Sequence, residues 1–306
     1  MAISVDDLWQ RGHLRAATDA SAAALALRTQ PFRDDAANDA DLATALHDHG
    51  TRCWHLARFD ESERCLDRAY DLRQSRMGDL HLDTLATFER LAGLANYQGQ
   101  FERAEERYQH LLDSLRGLEG NKGLRLAIAR RNFSSHLRSR GLHREAREVM
   151  DQAKKVLRRD APPLELLAYR KADAFLCALQ HDYREALDLI EAALRDAPLP
   201  TEHPFLASAR MVAARCLISL DTPVAALDLL DAAIPQLEAG YGDHPLVAIA
   251  LHLRSGVRFD GGHLPEAIAD LTRAVALSER FYPDRGHTHH WRGELADLRA
   301  RQSAST

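Results

Sequence analysis

The chain has 306 residues, 45% apolar, 28% charged and 6% aromatic, which is long enough to bury a core and too apolar to stay disordered. A net charge of -5 opposes nucleic acid as an overall partner, so any such affinity has to come from a local basic patch. The long, mostly apolar stretch from Leu246 to Leu253 falls short of the roughly 18 residues that a membrane span needs. Residues 1–7 lack the basic start and apolar core of a leader, and Cys53, Cys65, Cys177 and Cys216 form no C-x-x-C pair. A cytoplasmic location without membrane contact is expected.

Residues 4–30, with Ala16 and Ala23 seven apart and Leu8, Trp9 and Leu25 available for packing, read as an eroded helix hairpin. Six better-formed hairpins follow, predicted at 42–58 with 60–76, 82–98 with 101–117, 124–140 with 143–159, 163–180 with 183–196, 204–220 with 223–239, and 246–260 with 264–281. Their turns are anchored on Phe59, Phe101, His143, Tyr183, Pro223 and Leu264, which are 42, 42, 40, 40 and 41 residues apart. Glycine and proline mark the seams at Gly78, Gly117 to Gly123, Pro162-Pro163, Pro198 to Pro204 and Gly240 to Pro245. Residues 287–302 read as a polar capping helix. The expected organisation is therefore 1–41 as an N-terminal repeat remnant and linker, 42–281 as six repeats, and 282–306 as cap and tail.

Three columns of residues recur at fixed distances from the turn. Gly50, Ala92, Ser134, Ala174, Ala214 and Ser255 precede the turn, and Ser62, Ala104, Ala146, Ala186, Ala226 and Ala267 follow it. A third column holds Ala69, Leu111, Ala153, Ala193, Ala233 and Ala274, with the large apolar knobs Leu66, Tyr108, Met150, Ile190, Leu230 and Leu271 between. Small residues let two antiparallel helices approach closely, and the knob fills the contact.

This small, small, small spacing with a knob between resembles the tetratricopeptide repeat family. The repeat length and the starts of several first helices (His81, His203-Pro204, His244-Pro245) are similar to the longer kinesin light chain type. The resemblance implies an all-α, right-handed superhelical solenoid of about six hairpins that serves as a protein or peptide interaction module. Repeats three and four lack the His-Pro corner.

The histidines are the main candidates for chemistry. His47, His49 and His55, and separately His287, His289 and His290, cluster in sequence, but neither set has the H-E-x-x-H spacing of a helical metal site. His81, His203 and His244 fit a helix-start role, where an imidazole meets free backbone groups and proline suits the first turn. No P-loop, dinucleotide fingerprint or nucleophile elbow occurs, the loop Gly117 to Gly123 has no strand before it, and the cysteines fall at core phases. No catalytic residue, metal or cofactor is expected. The alternatives left open are an enzyme with a histidine-based metal site and a nucleic-acid-binding solenoid.

Binding is expected on the first helices, which line the concave side of such stacks. Residues three before, one after and four after each small position share a stripe. It carries His47, Thr51 and Trp54, then Glu89, Gly93 and Asn96, then Arg131, Ser135 and Arg138, then Lys171, Phe175 and Ala178, then Met211, Arg215 and Ile218, and last His252, Gly256 and Phe259. The candidate binding residues are Arg131, Arg138, Lys171, Phe175, Met211, Arg215, Ile218, His252 and Phe259. Cations at the centre with apolar residues beyond them suit an acidic or carboxylate-bearing peptide or protein.

Overall fold

The computed structural model describes residues 3–28, 36–118 and 123–304, and among them it contains helices and no strand. A first compact unit, Met1–Leu179, holds α1 (Val5–Gln10), α2 (Leu14–Arg28), α3 (Ala36–His55), α4 (Phe59–Met77), α5 (Leu82–Tyr97), α6 (Phe101–Gly117), α7 (Gly123–Ser139), α8 (His143–Asp160) and α9 (Pro163–Leu179). A second unit, Gln180–Thr306, holds α10 (Tyr183–Asp196), α11 (Pro204–Ser219), α12 (Pro223–Tyr241), α13 (Pro245–Asp260), α14 (Leu264–Phe281) and α15 (Gly286–Ala304). The predicted helices are present with near-identical ends, except that α3 spans Ala36–His55 where 42–58 is predicted and α12 runs through Gly240. Residues 29–35 of the linker and 119–122 of the glycine-rich loop lie outside the described residues. No helix is long and apolar enough to cross a membrane among the described residues.

Within each unit the helices pack as successive hairpins, α3 with α4, α5 with α6 and α7 with α8, then α11 with α12 and α13 with α14. The columns explain the packing, because all their residues are buried, from Ala92, Ala146 and Ala226 at 0% exposure to the knobs Leu66, Met150, Ile190 and Leu230. At Gly50 a Cβ would stand 2.9 Å from Leu66 Cγ, so only glycine allows that crossing.

One turn design recurs, with its backbone bonds in the turns after α3, α5, α7, α11 and α13. The residue at the reversal has a left-handed backbone, with φ of 81° at Gly99, 79° at Gly141 and 82° at Gly262, and also 56° at Ala57, 64° at His181 and 57° at Asp221. Its N–H donates to the carbonyl three back, and the next N–H reaches five back, as in Gly99 to Asn96 and Gln100 to Ala95. Gly12, with φ of 84°, and His13 repeat these bonds to Trp9 and Leu8, so α1 and α2 share the turn of the other hairpins. The turn also corrects the phase read there. Ala17, five residues after Gly12, is the buried small residue, whereas Ala16 and Ala23 face solvent. With α1 only six residues long, its pattern is too short to set the phase from sequence. The knob position then falls on Ser21, a buried polar residue.

Candidate functional site

In the first unit the stripe is built on α3, α5, α7 and α9, and its side chains bond from one first helix to the next. His47 Nδ1 lies 3.2 Å from Thr87 Oγ1, Asn132 Nδ2 donates to Glu89 Oε1 at 2.7 Å, and His136 Nδ1 lies 2.9 Å from Asn96 Oδ1. Burial, with Arg73, Arg90 and Arg125 nearby, pushes His47 down to about 3, so its ring is neutral at ordinary pH.

Toward α7 and α9 the face becomes basic. Arg131, 7% exposed, donates from Nη1 to Glu165 Oε2 at 2.5 Å and from Nε and Nη2 to Asn132 Oδ1 at 3.2 and 3.0 Å. The Arg138 guanidinium sits 4.7 Å from the centre of the Phe175 ring, a cation–π contact that presents ring and charge together. Lys171 is pushed down from the ordinary lysine value to about 8, first by burial and then by Arg131 and Arg138. Ammonium and guanidinium groups are thus gathered at a density that each other's charge opposes.

Two further cations belong to this face. Arg90 and Arg125 lie close enough to Glu89 and Glu165 to act on both carboxyls. Burial pushes Glu89 up against the pull of Arg90, Arg125 and Arg131, whereas burial of Glu165 is outweighed by Arg131, Arg90 and Arg125, which hold it below the usual carboxylate range. Among the described residues, neither Arg90 nor Arg125 makes an ion pair of its own; Arg90 lies 5.8 Å from the centre of the Trp54 ring. Sequence reasoning missed both, although a signal was present. Positions nine and two before the small residue are seven apart, so they share a stripe beside the one that was read.

In the second unit the stripe residues have different surroundings. Met211 is 4% exposed and belongs to the core, Ile218 is half-buried, and Arg215 is exposed. His252 stacks on Trp291 with centroids 4.4 Å apart and bonds Glu294 Oε2 at 2.8 Å, while Arg301 lies over Phe259 at 5.3 Å. Each of the pairs His252–Glu294 and Phe259–Arg301 spans one repeat length. Helix α15 therefore stands where the first helix of a further hairpin would stand, and it packs on the last stripe.

The helix-start histidines behave as their position implies. Nδ1 of His81, His203 and His244 accepts from the backbone N–H of Asp83, Phe205 and Leu246 at 3.2, 3.1 and 3.1 Å. Pro204 and Pro245 open the first turns of their helices. The C-terminal histidines diverge, His287 toward Tyr282 and Trp291, His289 toward Arg292 and His290 toward Glu294. In α3, His47 turns to Thr87, His55 packs on Trp9 and Trp54, and His49 is buried among Ser21, Cys53 and Glu61.

The tetratricopeptide repeat family matches residues 41–117 and, one repeat later, 83–159. A Rap protein complexed with competence and sporulation factor is similar at a TM-score of 0.64 and 14% identity, over 92% of this chain and 76% of that one. A tetratricopeptide repeat protein from Parabacteroides merdae ATCC 43184 is similar at 0.52 and 17% identity, over 96% and 95%. BtubC (BKLC) from P. vanneervenii is similar at 0.50 and 16% identity, over 81% and 92%. No curated protein matches the chain.

Proposed function

Because the chain is a tetratricopeptide repeat protein, we propose that it is a peptide- or protein-binding scaffold whose first unit recognises an acidic or carboxylate-bearing segment. The observation that carries this reading is the clustering of Arg90, Arg125 and Arg131 about Glu89 and Glu165, with Lys171 and Arg138 gathered beside Arg131, on the face of α5, α7 and α9. Holding Lys171 charged beside two guanidiniums opposes folding, and an incoming carboxylate relieves that opposition. Arg131 is oriented by Glu165 and Asn132, so its fork is preorganised. Arg138 with Phe175 offers a charged group and an apolar surface to the same ligand. On the second unit, Arg215 and Ile218 provide a smaller surface of the same kind. The fold is shared with a Rap protein solved complexed with competence and sporulation factor, which supports a ligand-binding use of such stacks.

The test is fluorescence anisotropy with two labelled peptides of equal length, one rich in Asp and Glu and one rich in Lys and Arg. The acidic peptide binds and its affinity falls with added salt, as charge-steered association requires. Equal binding of the two peptides, or binding of neither, overturns the reading.

A further inference from the structure

Away from the basic face, the turn between α3 and α4 brings together three side chains with metal-ligand chemistry. His49 and Cys53 are one helical turn apart on α3, and Glu61 comes from the first turn of α4. We propose that His49 Nε2, Cys53 Sγ and a Glu61 carboxylate oxygen bind one divalent transition-metal ion, with zinc favoured by the mixed nitrogen, sulfur and oxygen donors.

The distances fit. His49 Nε2 lies 3.1 Å from Glu61 Oε1 and 3.4 Å from Cys53 Sγ, and all three donor atoms are within 4.8 Å of one another. Tetrahedral zinc with bonds of about 2.0 to 2.3 Å sets neighbouring donors roughly 3.3 to 3.6 Å apart, so modest adjustment of Glu61 completes the geometry.

The surroundings aim the imidazole. Ser21 Oγ donates its proton to the Thr18 carbonyl at 2.7 Å, so it receives the Nδ1 proton of His49, also at 2.7 Å. Nε2 is then the ring nitrogen turned toward a carboxylate and a sulfur. A proton placed between ring and carboxylate satisfies two of the three atoms, whereas a metal ion satisfies all three. The Thr18–Ser21–His49 chain is the outer support that metal-binding imidazoles ordinarily have.

Access and charge are also suitable. His49 is 2% exposed and Cys53 is fully buried, but the Glu61 side chain is 35% exposed, so the ion enters past Glu61 and water completes the fourth position. Binding converts the Cys53 thiol to a metal-bound thiolate and releases its proton to solvent. A search for histidine pairs does not find this site, because the i+4 partner of His49 is a cysteine. The site also depends on a polar residue at the knob position of α2, where the other hairpins have a large apolar one.

The experiment is titration of the reduced, metal-free full chain with Co²⁺ alone, followed by displacement with Zn²⁺. The expected result is one Co²⁺ per chain with thiolate-to-metal charge-transfer absorption, lost when Zn²⁺ is added. Cys53→Ser abolishes that absorption, and Glu61→Gln, which keeps a hydrogen-bonding side chain at a partly exposed position, weakens binding by on the order of tenfold or more. His287→Ala with His289→Ala leaves it unchanged. Circular dichroism shows each variant helical; should Cys53→Ser fail to fold, Glu61→Gln decides. No charge-transfer absorption at saturating Co²⁺, or absorption unchanged in the variants, overturns the proposal and leaves His49 and Glu61 as a hydrogen-bonded pair only.

Discussion

The hydroxyl of Ser134 on α7 donates to the backbone carbonyl of Ala146 on α8 at 2.6 Å, bonding the two helices of a hairpin at their crossing. Ser255 does the same to Ala267 at 2.8 Å, and Ser62 to Gly50 at 2.7 Å. A side chain as short as serine reaches the partner backbone only because both crossing positions are small. Replacing Ala146 or Ala226, both fully buried, by Phe is expected to destabilise by about 1 to 3 kcal/mol through overpacking, measured by urea denaturation. Ser134→Ala is expected to cost about 0.5 to 1.5 kcal/mol, the net worth of one hydrogen bond.

The turns predict a gain. Ala57 adopts φ of 56° where four other hairpins use glycine. Ala57→Gly is expected to stabilise by about 0.5 to 1 kcal/mol, because the left-handed strain outweighs the added freedom of the unfolded chain. Gly141→Ala is expected to show the opposite sign in the same thermal melts.

The histidine starts predict a specific loss. His203, 1% exposed, caps α11 through Nδ1, so His203→Ala is expected to cost about 1 kcal/mol while His203→Asn retains most of the cap. Equal losses in the two variants would locate the effect in packing.

Lys171 predicts opposed effects on stability and binding. Its folded-state pKa, about 8, lies below the ordinary lysine value, so between these pH values the unfolded chain holds more protons. Stability therefore rises with pH across that interval, and below it the charged lysine opposes folding. Lys171→Met is expected to raise stability at pH 7 by on the order of 1 to 3 kcal/mol, the gap closing above pH 8, while acidic-peptide binding weakens. In the wild type that binding is expected to fall from pH 7 to pH 9.5, and in Lys171→Arg to change little.

The hairpins were legible because the small columns recur in phase at each turn, and burial of every column residue follows directly. Arg131, Arg138, Lys171 and Phe175 were readable as one stripe for the same reason. What escaped was set by contacts between repeats. The Arg131 partner, Glu165, is 34 residues away, and nothing local to Arg131 announces it. Arg90 and Arg125 lie on the neighbouring stripe, and Met211 was drawn into the core by its helix neighbours. His252 and Phe259 meet α15, a helix whose polar sequence fixes no inward face. Ser21, His49, Cys53 and Glu61 come from three helices, and their convergence depends on a phase that α1 is too short to set.

The most direct measurement compares the affinity of one acidic peptide, selected from a randomised library on the wild-type chain, for two double charge reversals. One is Arg90→Glu with Arg125→Glu on the basic face; the other is Arg144→Glu with Arg184→Glu, two exposed positions on second helices. The expected result is enrichment of Asp and Glu in the selected peptide and a loss of about 2 to 5 kcal/mol for the first pair, with little change for the second. Equal losses in both, or a selected peptide without acidic residues, would contradict the assignment of this face as the binding site.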